Sequence, residues 1–197
     1  MGKTVDYYFS PISPWTYLGH ARFADTAQRH GAVVRVKPAD FGKIFPVSGG
    51  LPLAKRAPQR QAYRMVELKR FRDYLKLPLN LQPKFFPAPA DFAAQYIVAA
   101  GRAGGNDAAM RLTGAVLRAC WAEERNIADA ETLRAICAEQ GLDAGQLAAA
   151  AQSEAVAAEY HGYTDEALAR NVFGAPSYVI DGEIFCGRSA MRSQSVT

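Results

Sequence analysis

Val5-Asp6-Tyr7-Tyr8-Phe9 runs into Ser10-Pro11-Ile12-Ser13-Pro14, and the fold turns on that junction. The first five residues are mostly apolar and aromatic, the composition of a buried strand. Pro11 and Pro14 stop it. Beyond them Tyr17, Leu18, Ala21 and Ala24 line one face of a helix that His30 and Gly31 close. Val33 to Val36 reads as a second strand. The chain therefore opens β-α-β, most economically two parallel strands joined by a helix.

The middle carries almost no strand pattern from Pro58 to Arg170. Met65, Leu68, Phe71 and Leu75 recur at helical spacing, as do Met110, Gly114, Leu117 and Trp121. Asp129 with Thr132 marks a helix start, and the alanine-rich run Ala144 to Ala158 is good helix composition. Phe41 to Pro58, with Pro46, Gly49, Gly50, Pro52 and Pro58, is expected to be a connecting loop. Strands return at the end: Ser177 to Ile180, the turn Asp181-Gly182, then Glu183 to Phe185. A β-α-β unit, a helical stretch and a hairpin preceded by proline is the order of an α/β thioredoxin-like fold with a large all-helical insertion. The expected boundaries are residues 1–40 and 172–197 for a discontinuous thioredoxin-like domain, and 41–171 for the insertion with its connecting loop.

Composition narrows the function. The 197 residues are 49% hydrophobic and 21% charged, which excludes a disordered chain. No apolar run reaches the roughly 20 residues of a membrane span, and Met1 to Phe9 lacks a secretory pattern, so a cytoplasmic protein is expected. Three cysteines, Cys120, Cys137 and Cys186, include no C-x-x-C pair and no zinc spacing. His20, His30 and His161 have no partner spacing, so no metal is expected. The net charge of +4 suits small anions at least as well as nucleic acid, for which no motif is present. Lys55, Arg56, Arg60, Arg64, Lys69, Arg70, Arg72 and Lys76 cluster locally, either as a solvated helix face or as a basic site.

Three places can carry chemistry. Ser13-Pro14-Trp15 begins a helix: serine is a preferred N-cap and proline suits the first helical position. That alone explains the motif structurally. The same helix tip offers N–H groups and partial positive charge, which stabilise a thiolate. With no cysteine there, Ser13 is placed to offer its hydroxyl to the sulfur of a bound thiol. Ala175-Pro176 precedes a strand; a cis bond there leaves the Ala175 backbone open to an extended peptide ligand. Arg60 and Tyr63, three apart on a helix, read as a surface pair or as a carboxylate-binding pair.

Val5-Asp6-Tyr7-Tyr8-Phe9-Ser10-Pro11-Ile12-Ser13-Pro14-Trp15-Thr16-Tyr17 resembles the opening of the 2-hydroxychromene-2-carboxylate isomerases. These are relatives of kappa-class glutathione transferases and, more distantly, of DsbA-type oxidoreductases. Ser48-Gly49-Gly50-Leu51-Pro52, the run Arg60 to Leu68, Asn80-Leu81-Gln82-Pro83-Lys84 and Phe173-Gly174-Ala175-Pro176 continue the likeness, which covers Val5 to Gly187. The resemblance implies a thioredoxin-like domain with a helical insert, glutathione as cofactor, an aromatic carboxylate substrate and a homodimer. It sets Ser13, with Pro14 and Trp15 beside it, against the glutathione sulfur. It also assigns Arg60 and Tyr63 to the glutathione site and the Ala175 backbone, before a cis-Pro176, to pairing with glutathione. Gly50 stands where kappa-class transferases carry asparagine, which favours the isomerase branch. Ser13 and Thr16 take the positions of a redox dithiol. After Phe185 the tail departs from the family: Ser189 stands where an acidic residue is expected to hold the γ-glutamyl amine, and Arg188 beside it would repel that amine. A frameshifted or truncated terminus is one hypothesis for that loss.

The resulting expectation is a glutathione-dependent cis–trans isomerase of a bicyclic intermediate of aromatic degradation. The alternatives are a kappa-like transferase that releases a glutathione conjugate, a non-catalytic thioredoxin-like binding protein and, last, a dithiol oxidoreductase.

Overall fold

The computed structural model describes residues 2–187; the Arg188 and Ser189 assignments lie outside that range. Its strands and helices, in chain order, are β1 (Thr4–Phe9), α1 (Pro14–Arg29), β2 (Val33–Pro38), α2 (Phe41–Ser48), α3 (Pro58–Leu75), α4 (Asp91–Trp121), α5 (Ala130–Glu139), α6 (Ala144–Ala151), α7 (Glu154–Ala169), β3 (Ser177–Ile180) and β4 (Glu183–Cys186). The four strands make one mixed sheet in the order β2-β1-β3-β4. β1 runs parallel to β2 and antiparallel to β3, and β4 returns antiparallel to β3. Asp181 and Gly182 both have positive φ, as the tight turn between β3 and β4 requires.

β1 is buried on both faces, and its two-residue alternation sorts them. Val5, Tyr7 and Phe9 enter the main core with Leu18 of α1 and Leu112 and Val116 of α4. Tyr8 joins a smaller cluster with Phe41, Ile44, Ala167 and Val172. Tyr7 anchors the larger side, its ring 4.6 Å from Phe9 and 5.3 Å from Tyr178. On the Tyr8 side Asp6, 3% exposed, takes Arg35 at 2.6 Å and Lys37 at 3.0 Å, and Lys37 reaches Glu166 of α7 at 2.6 Å. A buried carboxylate survives there because three cations face it, Arg170 being the third.

The expected loop between residues 41 and 58 is in part helical. Asp40 caps α2 by accepting the Gly42 N–H at 2.8 Å, while Phe41 and Ile44 bury one face. That cap and apolar pair outweigh Pro46, which removes a single backbone hydrogen bond inside the helix. Gly49 then ends α2 in the left-handed region, and a short 3-10 turn at Leu53–Lys55 leads to α3. α4 carries a kink at Gly104 and Gly105, the second at φ 72, so its two halves act as separate helices.

His20 ties α1 to α4. Its Nε2 lies 3.1 Å from the Met110 carbonyl and its Nδ1 3.2 Å from the Tyr7 hydroxyl. A carbonyl only accepts, so Nε2 carries the proton and Tyr7 donates to Nδ1. Burial holds this imidazole neutral and lowers its pKa to about 4. The unfolded histidine titrates near 6.5. A depressed histidine stabilises the fold fully above the unfolded pKa and loses that contribution as pH falls toward the folded one. Stability should therefore drop by about 3 kcal/mol between pH 6.5 and 4 from this residue. Urea midpoints of parent and His20→Gln across that window check it; equal pH slopes would remove His20 from the acid transition.

Candidate active site

The tip of α1 is built by its own sequence. Ser13 is the N-cap in extended conformation, its Oγ accepting the Thr16 N–H at 3.2 Å, and Pro14 takes the first helical position. No acidic residue lies in the first turn to offset the positive helix end. Across from it the Ala175–Pro176 bond is cis. The Ser13 hydroxyl donates to the Ala175 carbonyl at 3.4 Å, joining two segments 162 residues apart. The start of α1 and the turn into β3 thus meet. The Ala175 N–H finds no partner among the described residues. Thr16, fully buried in the first turn of α1, has an Oγ1 without a hydrogen-bond partner among the described residues.

Trp15 packs edge-on against Phe71 of α3, with ring centroids 5.9 Å apart. Gly50 is only partly exposed and lies against Phe45, where an added Cβ would come within 2.5 Å of the ring. A side chain at position 50 would have to displace Phe45. Arg60 and Tyr63 are exposed on α3, Tyr63 at 53%, and no hydrogen bond ties either of them to Ser13. Thus Ser13, Pro14, Ala175 and Pro176 converge, whereas Arg60 and Tyr63 stand on an open helix face. A shallow groove lined by His20, Met110, Gly114 and Arg118 lies two turns along α1 from this tip, and the ring nitrogens of its histidine are already engaged.

Two of the three cysteines supply no competing chemistry. Burial pushes the Cys120 thiol up to about 12 and Cys137 to about 11, so both stay protonated and inert. Among the described residues no cluster of histidine, cysteine or acidic side chains could hold a metal. No described helix is long and apolar enough to cross a membrane.

One residue of the basic cluster behaves unlike the rest. Arg64 is 8% exposed, with its guanidinium over Phe86 at 5.5 Å and Trp121 at 5.9 Å. Its spacing with Leu68, Phe71 and Leu75 puts it on the apolar stripe of α3. That signal is present in the sequence, but reading the cluster as a block of charge obscures it.

These features define a thioredoxin-like protein with a serine, not a cysteine, at the tip of its first helix. The family model of the DsbA-like thioredoxin domain matches residues 4–194. A 2-hydroxychromene-2-carboxylate isomerase of Sphingobium xenophagum is 31% identical, over 97% of this chain and 95% of its own length. A solved 2-hydroxychromene-2-carboxylate isomerase superposes with a TM-score of 0.79 at 25% identity, covering 97% of this chain and 92% of that one. A shorter match, 33% identical over 41% of this chain and 36% of the relative, is to glutathione S-transferase kappa 1 of Caenorhabditis elegans. The chain belongs to the DsbA-like thioredoxin family and, within it, to the 2-hydroxychromene-2-carboxylate isomerases.

Proposed function

We propose that this chain is a glutathione-dependent isomerase that converts 2-hydroxychromene-2-carboxylate to trans-o-hydroxybenzylidenepyruvate in aromatic degradation. The observation that carries the reading is the Ser13 hydroxyl at the tip of α1, aimed across at the backbone before cis-Pro176. Near-full-length likeness to named isomerases supports the reaction, and the partial likeness to a kappa-class transferase supports the cofactor.

The residues present fit a thiol tripeptide. Ser13 supplies a hydroxyl that redirects from Ala175 to a sulfur, and the helix end adds positive potential with no acidic residue in its first turn. The Ala175 N–H, without a partner among the described residues, and its carbonyl offer an extended peptide a donor and an acceptor. Arg60 and Tyr63, exposed on α3, are placed to meet outer groups of the tripeptide. Bound glutathione supplies a thiolate that adds reversibly to a conjugated carbon, so that a double bond becomes single, turns and re-forms. Ser13 holds that sulfur anionic, each pKa unit being worth about 1.4 kcal/mol. The buried Cys120 and Cys137 stay out of the reaction, as their raised thiol pKa values require.

Product analysis tests the reading. With catalytic glutathione and excess substrate, the trans product should accumulate over many turnovers and all glutathione should be recovered free. A stoichiometric adduct would instead establish a transferase. A protein that binds no glutathione by calorimetry would be the binding module. The family's usual assembly leads us to propose a homodimer as well, and its cytoplasmic setting follows from the need for reduced glutathione.

A further inference from the structure

Thr16 holds a hydroxyl for which the fold supplies no acceptor. The residue is 0% exposed, and among the described residues nothing bonds its Oγ1. Two other threonines are buried as deeply, and both are satisfied. The Thr113 hydroxyl donates to the Ala109 carbonyl at 2.7 Å and that of Thr164 to the Tyr160 carbonyl at 3.3 Å, each four residues back along its own helix. Thr16 cannot follow them. It stands in the first turn of α1, so the residue four back, Ile12, lies outside the helix. The neighbour one turn ahead on the same face, His20, is spent as well. Its Nδ1 takes the Tyr7 hydroxyl and its Nε2 proton goes to the Met110 carbonyl. A buried donor with no acceptor is costly, and a threonine that served packing alone would do better as valine.

The helix sets the direction of the side chain. Every Cα–Cβ bond of an α-helix tilts toward the N-terminus, and residues three apart share a face. Thr16 therefore leans back toward the tip that Ser13 caps. Its backbone nitrogen lies 3.2 Å from Ser13 Oγ, and its hydroxyl oxygen is joined to that nitrogen through Cα and Cβ alone. One face of the tip thus carries two hydroxyls. That of Ser13 is engaged by a long 3.4 Å bond to the Ala175 carbonyl, and that of Thr16 by nothing among the described residues. The helix end is positive and its first turn holds no acidic residue, so the acceptor that fits Thr16 is an anion from outside the chain.

We propose that Thr16 is the second hydroxyl donor to the thiolate sulfur bound at Ser13, reaching it from the helix side as the Ser13 hydroxyl turns to it from Ala175. This rests on the glutathione site of the function proposed above, and not on the isomerisation. Breaking the 3.4 Å bridge gives the sulfur its approach to an oxygen that solvent does not reach. A thiolate suits the place because one atom carries its charge, so two donors on one helix face converge on it. A carboxylate spreads the same charge over two oxygens. Two charge-assisted hydrogen bonds, in place of one, hold the anion against the loss of its water.

The test follows the ionisation of bound glutathione on the full chain, by NMR of glutathione carrying carbon-13 at its cysteine Cβ, across pH values around the free cysteine thiol's about 8.5. His20, held neutral by burial, does not titrate there. In the parent the bound thiol should ionise well below that value. Thr16→Val should raise the bound thiol's pKa by about one to two units, the size of one charged hydrogen bond. Its urea midpoint should stay level or rise, because no satisfied bond is lost. Thr16→Ser, which keeps the hydroxyl, should stay within about 0.3 unit of the parent. Thr16→Ala also removes the hydroxyl and should match valine, so a valine variant that fails to fold leaves the proposal testable. An unchanged thiol in either hydroxyl-free variant overturns it. An equal rise in Thr16→Ser overturns it too, since the effect would then belong to packing. A parent that binds no glutathione, or binds it with the thiol ionising as in buffer, overturns the proposal together with the glutathione site. If the bound thiol depends on Thr16 but no substrate isomerises, the isomerase reading falls and this one stands; isomerisation with a Thr16-independent thiol gives the reverse.

Discussion

Replacing Ser13 with alanine should lower turnover at saturating glutathione about a hundredfold while the chain stays folded. The hydroxyl has two structural partners, the Thr16 N–H at 3.2 Å and the Ala175 carbonyl at 3.4 Å, both long for their type. Losing the cap costs about 1 kcal/mol, a modest part of a typical domain's stability. Losing a donor aimed at a developing or resident anion costs about 2.7–4 kcal/mol in a preorganised site, or two to three decades in rate. The two effects separate by measurement: the melting temperature should fall slightly and the rate steeply. The pH profile should also move. Removing a stabiliser of the thiolate raises the thiol pKa, so the alkaline rise in rate should shift upward by about one pH unit for each 1.4 kcal/mol lost. Ser13→Thr keeps the hydroxyl and should retain most of the rate. Ser13→Cys supplies a readout independent of turnover. A thiol at this helix end should ionise well below the usual 8.5 and form a mixed disulfide with oxidised glutathione, visible by mass. Turnover that is unchanged in the alanine variant would take Ser13 out of the chemistry.

Much of this fold is legible in the chain because local rules agree with the global packing. β1 and α1 are separated by prolines, α5 starts at an Asp-x-x-Thr cap in which Asp129 accepts the Thr132 N–H, and the hairpin turns at Asp181-Gly182. The expectation fails where composition and capping disagree. Pro46, Gly49 and Gly50 read as a loop, yet Asp40 and the Phe41–Ile44 pair form a helix against the Tyr8 face. Asp6 shows the same limit: whether a strand aspartate is tolerated in a core depends on Lys37, Arg35 and Arg170, which only the folded chain brings together.

The candidate site divides along similar lines. Ser13 is readable from its place between a strand and a helix. Its approach to Ala175, 162 residues on, is a matter of topology. Arg60 and Tyr63 carry the right chemistry at helical spacing, but spacing does not say which face of α3 meets solvent. Arg64, one residue beyond Tyr63, turns inward instead. A helix advances about 100° per residue, so adjacent positions can have opposite fates. Arg64 belongs to the Leu68, Phe71 and Leu75 stripe, and the run of basic residues around it hides that membership.

Trp121→Ala should cost about 3–5 kcal/mol, the largest single loss of stability expected from a residue outside the strands. The indole is fully buried and ends α4, 4.8 Å from the Phe86 ring, while its own carbonyl accepts the Asn80 N–H at 2.7 Å. The backbone bond survives the substitution, so the loss belongs to the ring and the cavity it leaves. The indole N–H has no hydrogen-bond partner among the described residues. Trp121→Phe therefore removes an unsatisfied donor along with some volume, and should cost only about 1 kcal/mol. Chemical denaturation of the two variants checks the ranking; equal losses would mean that the N–H matters more than the ring. The same ring supports the Arg64 guanidinium, so the substitutions should not add. In Trp121→Ala the guanidinium gains room and water, and the cost of its burial falls. The double variant with Arg64→Met should then differ from the sum of the singles by 0.5 kcal/mol or more, the size at which touching residues couple. Additivity within error would mean that the stacked pair is an accident of packing.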